Sequence, residues 1–204
     1  MLGRMDHFPA FIPLAGARIV LVGEGVEADG KARLFDGSPA TLVRLAADDA
    51  ALSPDAYAGA SLVFIASEDE AFYLAAAAAA RAGGALLVNV VDRPAHCDFY
   101  TPAIVDRGAV VAGIGTGGAG PVLAGRLKAQ IDTLWPARLG ALAELLRTIQ
   151  PQVRARFPAF AERRAFLVAL LDGPAARAAL AGETDEALRL ALDALGAMPK
   201  SPFP

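Results

Sequence analysis

The sequence is poor in the residues that build metal cages and disulfide frameworks: 204 residues include one cysteine, Cys97, and two histidines, His7 and His96. A lone cysteine excludes an internal disulfide and a Cys-rich zinc site. His96 and Cys97 are adjacent and precede Asp98, but chain neighbours rarely converge on one ion, so no preformed metal site is expected. No apolar run reaches the roughly 20 residues of a bilayer-crossing helix, because Arg81 and Gly83–Gly84 interrupt the richest stretch, 74–91. The opening residues 1–7 lack the apolar block of a secretory signal, so a cytoplasmic protein with no membrane association is expected. No segment resembles the Gly-x-Ser-x-Gly elbow of a serine hydrolase.

Alanine is what the chain has in excess. It supplies 47 residues of the 55% hydrophobic content, leaving about a third of the chain as larger apolar side chains, an ordinary soluble core. At roughly 150 residues per domain, the length allows one domain and an appendage. The net charge of −3 is unevenly spread: residues 1–113 carry −6, 114–171 carry +5 and 172–204 carry −2. A basic middle behind an acidic front is suited to steering a polyanion, or is a solvated arginine-rich surface.

Short Val/Ile/Leu-rich runs alternate with helical stretches. Strands are predicted at 17–22, 40–45, 62–66, 86–91 and 109–112, with helices at 28–35 and 70–82. This alternation predicts an α/β fold, a shortened Rossmann-like, mostly parallel sheet covered on both faces. Beyond Gly113 the pattern is helical: 122–134, 139–149 stopped before Pro151, 160–171 and 184–195. An N-terminal doubly wound domain and a C-terminal helical region are expected.

The chemistry-bearing residues sit at strand ends. Gly23-Glu24-Gly25-Val26-Glu27-Ala28 fits G-x-G-x-x-G/A between a strand and a helix. The first glycine makes the turn, the second admits a pyrophosphate to the backbone, and the small third residue lets helix and strand close. The acid expected about 20 residues on has no clean candidate, and Arg44 would suit a 2′-phosphate, so NAD is expected with NADP left open. Asp92 ends a strand at the carboxyl edge of the sheet, where it serves as a general base or caps its loop, with Arg93 as a possible partner. A second glycine-rich turn, Gly115 to Pro121, precedes a helix and offers the Thr116 hydroxyl.

These blocks resemble one family, the bifunctional precorrin-2 dehydrogenase and sirohydrochlorin ferrochelatase of sirohaem synthesis. The resemblance rests on Phe8-Pro9-Ala10-Phe11, on VGEGVEADGKAR (22–33), on NVVDRP (89–94) with Cys97-Asp98-Phe99 and Thr101-Pro102-Ala103, on IVDR (104–107), and on GGAGPVLA (117–124). Met5-Asp6-His7-Phe8-Pro9 also resembles a family start, which makes Met1 and Met5 alternative starts.

The resemblance implies three parts, 1–113 for dinucleotide binding, 114–150 as a dimerisation segment and 151–204 as a C-terminal helical domain, with NAD-dependent oxidation of precorrin-2, ferrous iron as a second substrate in bifunctional members, and a homodimer. It implies Asp92 as the catalytic residue and Gly23, Gly25, Val26, Glu27, Ala28 and Asn89 as cofactor contacts. Thr116, Gly117, Gly118, Arg126 and Lys128 are implied to meet the tetrapyrrole. The fused methyltransferase of some members is not in this sequence, so precorrin-2 is expected from another protein. Against the family pattern, the stretch between Lys31 and Ser61 is one strand-and-helix unit short. Alternatives are a dehydrogenase-only member and a non-catalytic dinucleotide-sensing regulator or scaffold. No helix-turn-helix pattern supports nucleic-acid binding.

Overall fold

Strand β1 (Arg18–Val22) sends Ile19 and Leu21 to one face of a sheet and Val20 and Val22 to the other, in a computed structural model that describes residues 5–197. The same two-residue period sorts β2 (Thr41–Leu45), β3 (Ala60–Ile65) and β4 (Leu87–Val90). Leu42, Leu62, Phe64 and Leu87 join Ile19 and Leu21 under helix α1 (Val26–Ala32), which contributes Ala28. Val43, Leu45, Val63, Ile65, Val88 and Val90 pack on the other face against helix α2 (Glu70–Ala82). Ala76, Ala77, Ala79 and Ala80 of α2 are buried, and their single methyl groups let the helix lie close to the strands. The alanine excess is therefore partly a packing device.

The four strands are parallel in the order β2-β1-β3-β4. The chain steps to β2 on one side of β1 and to β3 on the other, which makes the carboxyl end of β1 a switch point where α/β sheets take their ligands. Between β2 and β3 stand only two 3-10 turns, 49–52 and 54–57, where a further strand and helix were expected to be missing. Tyr57 anchors them: it is fully buried, its hydroxyl donates to Ala51 C=O at 2.6 Å, and burial pushes its phenol up to about 12.

The first of two compact units ends at Thr101 and the second begins at Pro102. Prediction and structure differ here. The sequence predicts 109–112 as a fifth parallel strand within a domain reaching 113; instead β6 (Val110–Ile114) pairs antiparallel with the unpredicted β5 (Ala103–Arg107) in a separate hairpin. The reason is the connection: Gly108 and Ala109 alone join them, and a parallel pair needs a crossover of a dozen residues or more. Asp106 Oδ1 accepts the Gly108 N–H at 2.7 Å and holds the turn.

Helix α3 (Pro121–Leu134) follows, then α4 (Leu139–Arg156), α5 (Phe160–Leu171), α6 (Pro174–Ala181) and α7 (Thr184–Ala197). Helix α4 runs through Pro151 instead of stopping before it. An interior proline costs about 3 kcal/mol, but Leu142, Leu145, Ile149 and Val153 recur at helical spacing and all four are buried, so packing outweighs the kink. Phe157, Phe166, Leu170 and the small faces of α6 and α7 complete that core. The start at Met1 lies outside the described residues.

Candidate functional site

The loop after β1 is shaped by two glycines with different jobs. Gly23 (φ 106°) donates its N–H to Leu45 C=O at 2.9 Å, and a Cβ there would sit 2.0 Å from Ala66 C=O. It is a packing glycine that lets β1 turn between its neighbours. Gly25 (φ 87°) begins α1, and a Cβ there would meet nothing within 4 Å. That vacant volume over bare backbone is what a dinucleotide pyrophosphate requires, so the loop fits NAD or NADP. No side chain caps α1; Asp29 N–H closes the first turn on Gly25 C=O at 2.9 Å, leaving the N–H groups ahead of it without intrahelical partners. Ala28 is buried against the sheet, while Val26 is 85% exposed and Glu27 is exposed.

Asp92 lies on the same carboxyl edge. Val91 N–H still pairs with Ile65 C=O at 2.9 Å; then Arg93 N–H turns back to Val90 C=O at 3.1 Å, with Asp92 as third residue of the turn at φ 57°. Among the described residues it is the one non-glycine with positive φ. Glycine or asparagine is usual at such a turn position, and aspartate, with its short polar side chain, tolerates it. Its carboxylate is exposed and accepts no hydrogen bond among the described residues; Arg93 meets the Asp92 C=O instead, at 3.2 Å.

A clamp holds this loop to β4. Asp98 accepts Val88 N–H through Oδ2 at 2.9 Å and donates its own N–H to Val88 C=O at 2.8 Å, covering the sheet's open edge. Arg81, in the last turn of α2, bonds Asp98 Oδ1 and His96 C=O, both at 3.0 Å. Cys97 Sγ–H donates to Val90 C=O at 3.1 Å and to Arg93 C=O at 3.3 Å; burial pushes the thiol up, which keeps it a neutral donor. The His96 ring lies 5.7 Å from Tyr73. Among the described residues no three His, Cys, Asp or Glu side chains form a group able to hold a metal.

Asn89, expected to contact the cofactor, is 6% exposed within β4; its Nδ2 donates to Phe99 C=O at 2.9 Å and ties the returning loop down, while its buried Oδ1 has no partner among the described residues. The Asp98 clamp was not anticipated, although Cys97-Asp98-Phe99 stood out as a block; a carboxylate six residues past a strand-end aspartate is the available signal.

The other expected residues belong to the second unit. Gly117 (φ 59°) and Gly118 (φ 82°) form a turn closed by Ala119 N–H to Thr116 C=O at 3.0 Å, and the Thr116 hydroxyl donates to Gly120 C=O at 3.3 Å. Lys128, expected to meet the substrate, holds Asp132 through its ammonium at 2.5 Å, and Arg107 holds the same carboxylate at 3.0 Å. These cations, led by the Lys128 hydrogen bond, pull the Asp132 carboxyl below its usual range. Arg126, Arg138, Arg154 and Arg164 are exposed and make no ion pair among the described residues. No described helix is long and apolar enough to cross a membrane.

Two protein families match in tandem. The "Putative NAD(P)-binding" family matches residues 10–103, and the "Sirohaem synthase dimerisation region" matches 138–195, which overlaps the expected dimerisation segment at 138–150 and continues to α7. Siroheme synthase of Methylococcus capsulatus is 37% identical over 217 residues, covering 98% of this chain and 46% of that protein. Siroheme synthase of Stutzerimonas stutzeri is 38% identical over 215 residues, with 97% and 46% covered. The chain thus spans about half the length of these curated relatives. A solved structure described as "SirC, precorrin-2 dehydrogenase" superposes with a TM-score of 0.64 at 16% identity, covering 92% of this chain and 100% of that one, a likeness of fold.

Proposed function

The chain belongs to the siroheme synthase family, and from that premise we propose that it oxidises precorrin-2 to sirohydrochlorin with NAD as oxidant. The observation that carries this reading is the pairing of an open glycine loop and a left-handed aspartate on one carboxyl edge of one parallel sheet. The oxidation removes a hydride and a proton from the macrocycle. Bound NAD supplies the hydride acceptor. Gly23 and Gly25 shape the loop for its pyrophosphate, and the N–H groups at the start of α1 face that anion. The free carboxylate of Asp92 takes the proton. The clamp from Asp98, Arg81, Cys97 and Asn89 holds the backbone of the loop that carries Asp92.

Ferrous iron insertion is proposed as a second step, with iron and sirohydrochlorin both as substrates. Pyrrole protons must leave as the metal enters, and the Asp92 carboxylate makes no ion pair among the described residues, Arg93 meeting the Asp92 C=O instead. Thr116, Gly117, Gly118 and Arg126 are assigned to the tetrapyrrole's carboxylates, and the region 138–195 to a homodimer.

Anaerobic incubation with precorrin-2 and NAD tests the first step: the sirohydrochlorin spectrum should grow with NADH fluorescence, one for one. Sirohydrochlorin formation without NADH, or neither product, contradicts the proposal. Adding ferrous iron tests the second step by loss of the metal-free spectrum.

A further inference from the structure

Asp92 and Arg93 are consecutive and oppositely charged, yet their side chains form no ion pair among the described residues. The Asp92 carboxylate is exposed, while the Arg93 guanidinium is drawn back over the ring of Tyr73, its carbon 5.7 Å from the ring centroid. Tyr73 is 4% exposed and belongs to the core face of α2, so its ring is a fixed support. Arg93 Nη1 donates to Asp92 C=O at 3.2 Å, which ties the guanidinium to the same turn that carries the carboxylate.

The result is a cation with a fixed place and open donors. Stacking on an aromatic ring uses the flat face of a guanidinium and leaves its edge, a fork of N–H groups matched to a carboxylate. Beyond the bond to Asp92 C=O, those N–H groups meet no acceptor among the described residues, and no unpartnered one is buried. Other arginines of this unit are engaged differently: Arg81 holds Asp98 at 3.0 Å, Arg44 holds Asp29 at 2.7 Å, and Arg18 meets Ala56 and Ala58 C=O. Arg93 has no carboxylate partner among the described residues, and its Cα is about 3.8 Å, one peptide, from that of the free carboxylate at the sheet's carboxyl edge.

We propose that Arg93 is a substrate-binding residue that takes one rim carboxylate of the tetrapyrrole and thereby sets which edge of the macrocycle faces Asp92. The proposal rests on the tetrapyrrole reading above. A polycarboxylate approaching Asp92 meets a like charge, and the neighbouring guanidinium offsets that repulsion. A bidentate contact between guanidinium and carboxylate fixes direction as well as charge, so the ring cannot turn freely about it. Tyr73 and the Asp92 carbonyl already restrict the side chain, so little rotamer freedom is lost when the carboxylate arrives.

The test is an anaerobic, metal-free titration of the full chain, saturated with NAD, with sirohydrochlorin as the free acid and as its methyl ester in the same buffer. Circular dichroism checks folding. Arg93→Ala should weaken binding of the free acid about tenfold, as loss of one charge-assisted contact does, and change binding of the ester less than twofold. Arg93→Lys, which keeps the charge without the fork, should recover part of the loss. Acid and ester weakened alike would mean that Arg93 acts only by holding the turn, and that result, or acid affinity within twofold of wild type, overturns the assignment and leaves the tetrapyrrole reading standing. Wild type that binds neither form overturns that reading and this assignment with it.

Discussion

Asp98 and Val88 are joined twice, carboxylate to N–H at 2.9 Å and N–H to C=O at 2.8 Å, so a side chain and its own backbone together replace a missing neighbour strand. The loop that carries Asp92 is thereby made an extension of the sheet. Asp98→Ala should leave the part-buried Val88 N–H unpaired and lower stability by about 1–3 kcal/mol. Urea unfolding would measure it. Asp98→Asn, which keeps the carbonyl acceptor but loses the ion pair to Arg81, should fall between the two.

The left-handed backbone of Asp92 separates stability from function. Asp92→Gly should be at least as stable as wild type, because glycine removes a strain of about 1 kcal/mol, and Asp92→Ala should be less stable. Both should lose precorrin-2 oxidation. A Gly variant that is markedly less stable would show that the carboxylate holds the loop instead of serving chemistry.

Gly23→Ala and Gly25→Ala should fail differently. At Gly23 the new methyl meets Ala66 C=O at 2.0 Å, so the first unit should lose thermal stability outright. At Gly25 the methyl enters open space, so the fold should survive with a modest cost for the positive φ while NADH affinity falls.

The Asp132 cluster predicts an acid-side loss of stability. Its carboxyl is pulled below the usual carboxylate range in the folded chain, so it stabilises the fold above that range. The contribution is lost as pH falls through the lowered value and Asp132 takes up its proton. Thermal melts from pH 6 downward should show a steeper decline for wild type than for Asp132→Asn. Parallel declines would exclude this cluster as a source of the pH dependence.

Much of the first unit was legible because its signals are local. The run at 70–82 is helical because alanine and leucine favour it and Asp69 caps it, accepting Phe72 N–H at 3.1 Å; Asp92 stood out because it follows a Val-rich strand. What was not legible depends on side-chain packing that the local pattern does not specify. Asn89 Nδ2 meets Phe99 C=O, Lys128 shares Asp132 with Arg107, and α4 crosses Pro151 because Ile149 and Val153 are buried on either side. Residues 103–107 were recognisable as a motif, yet their pairing follows only from the two-residue link to β6.

The central claim is that Asp92 acts as the base beside a bound dinucleotide, and the most direct measurement is single-turnover oxidation of precorrin-2 by Asp92→Asn with NADH affinity measured on the same sample. The account predicts NADH affinity within twofold of wild type and loss of sirohydrochlorin formation. Undiminished oxidation by the variant would contradict it.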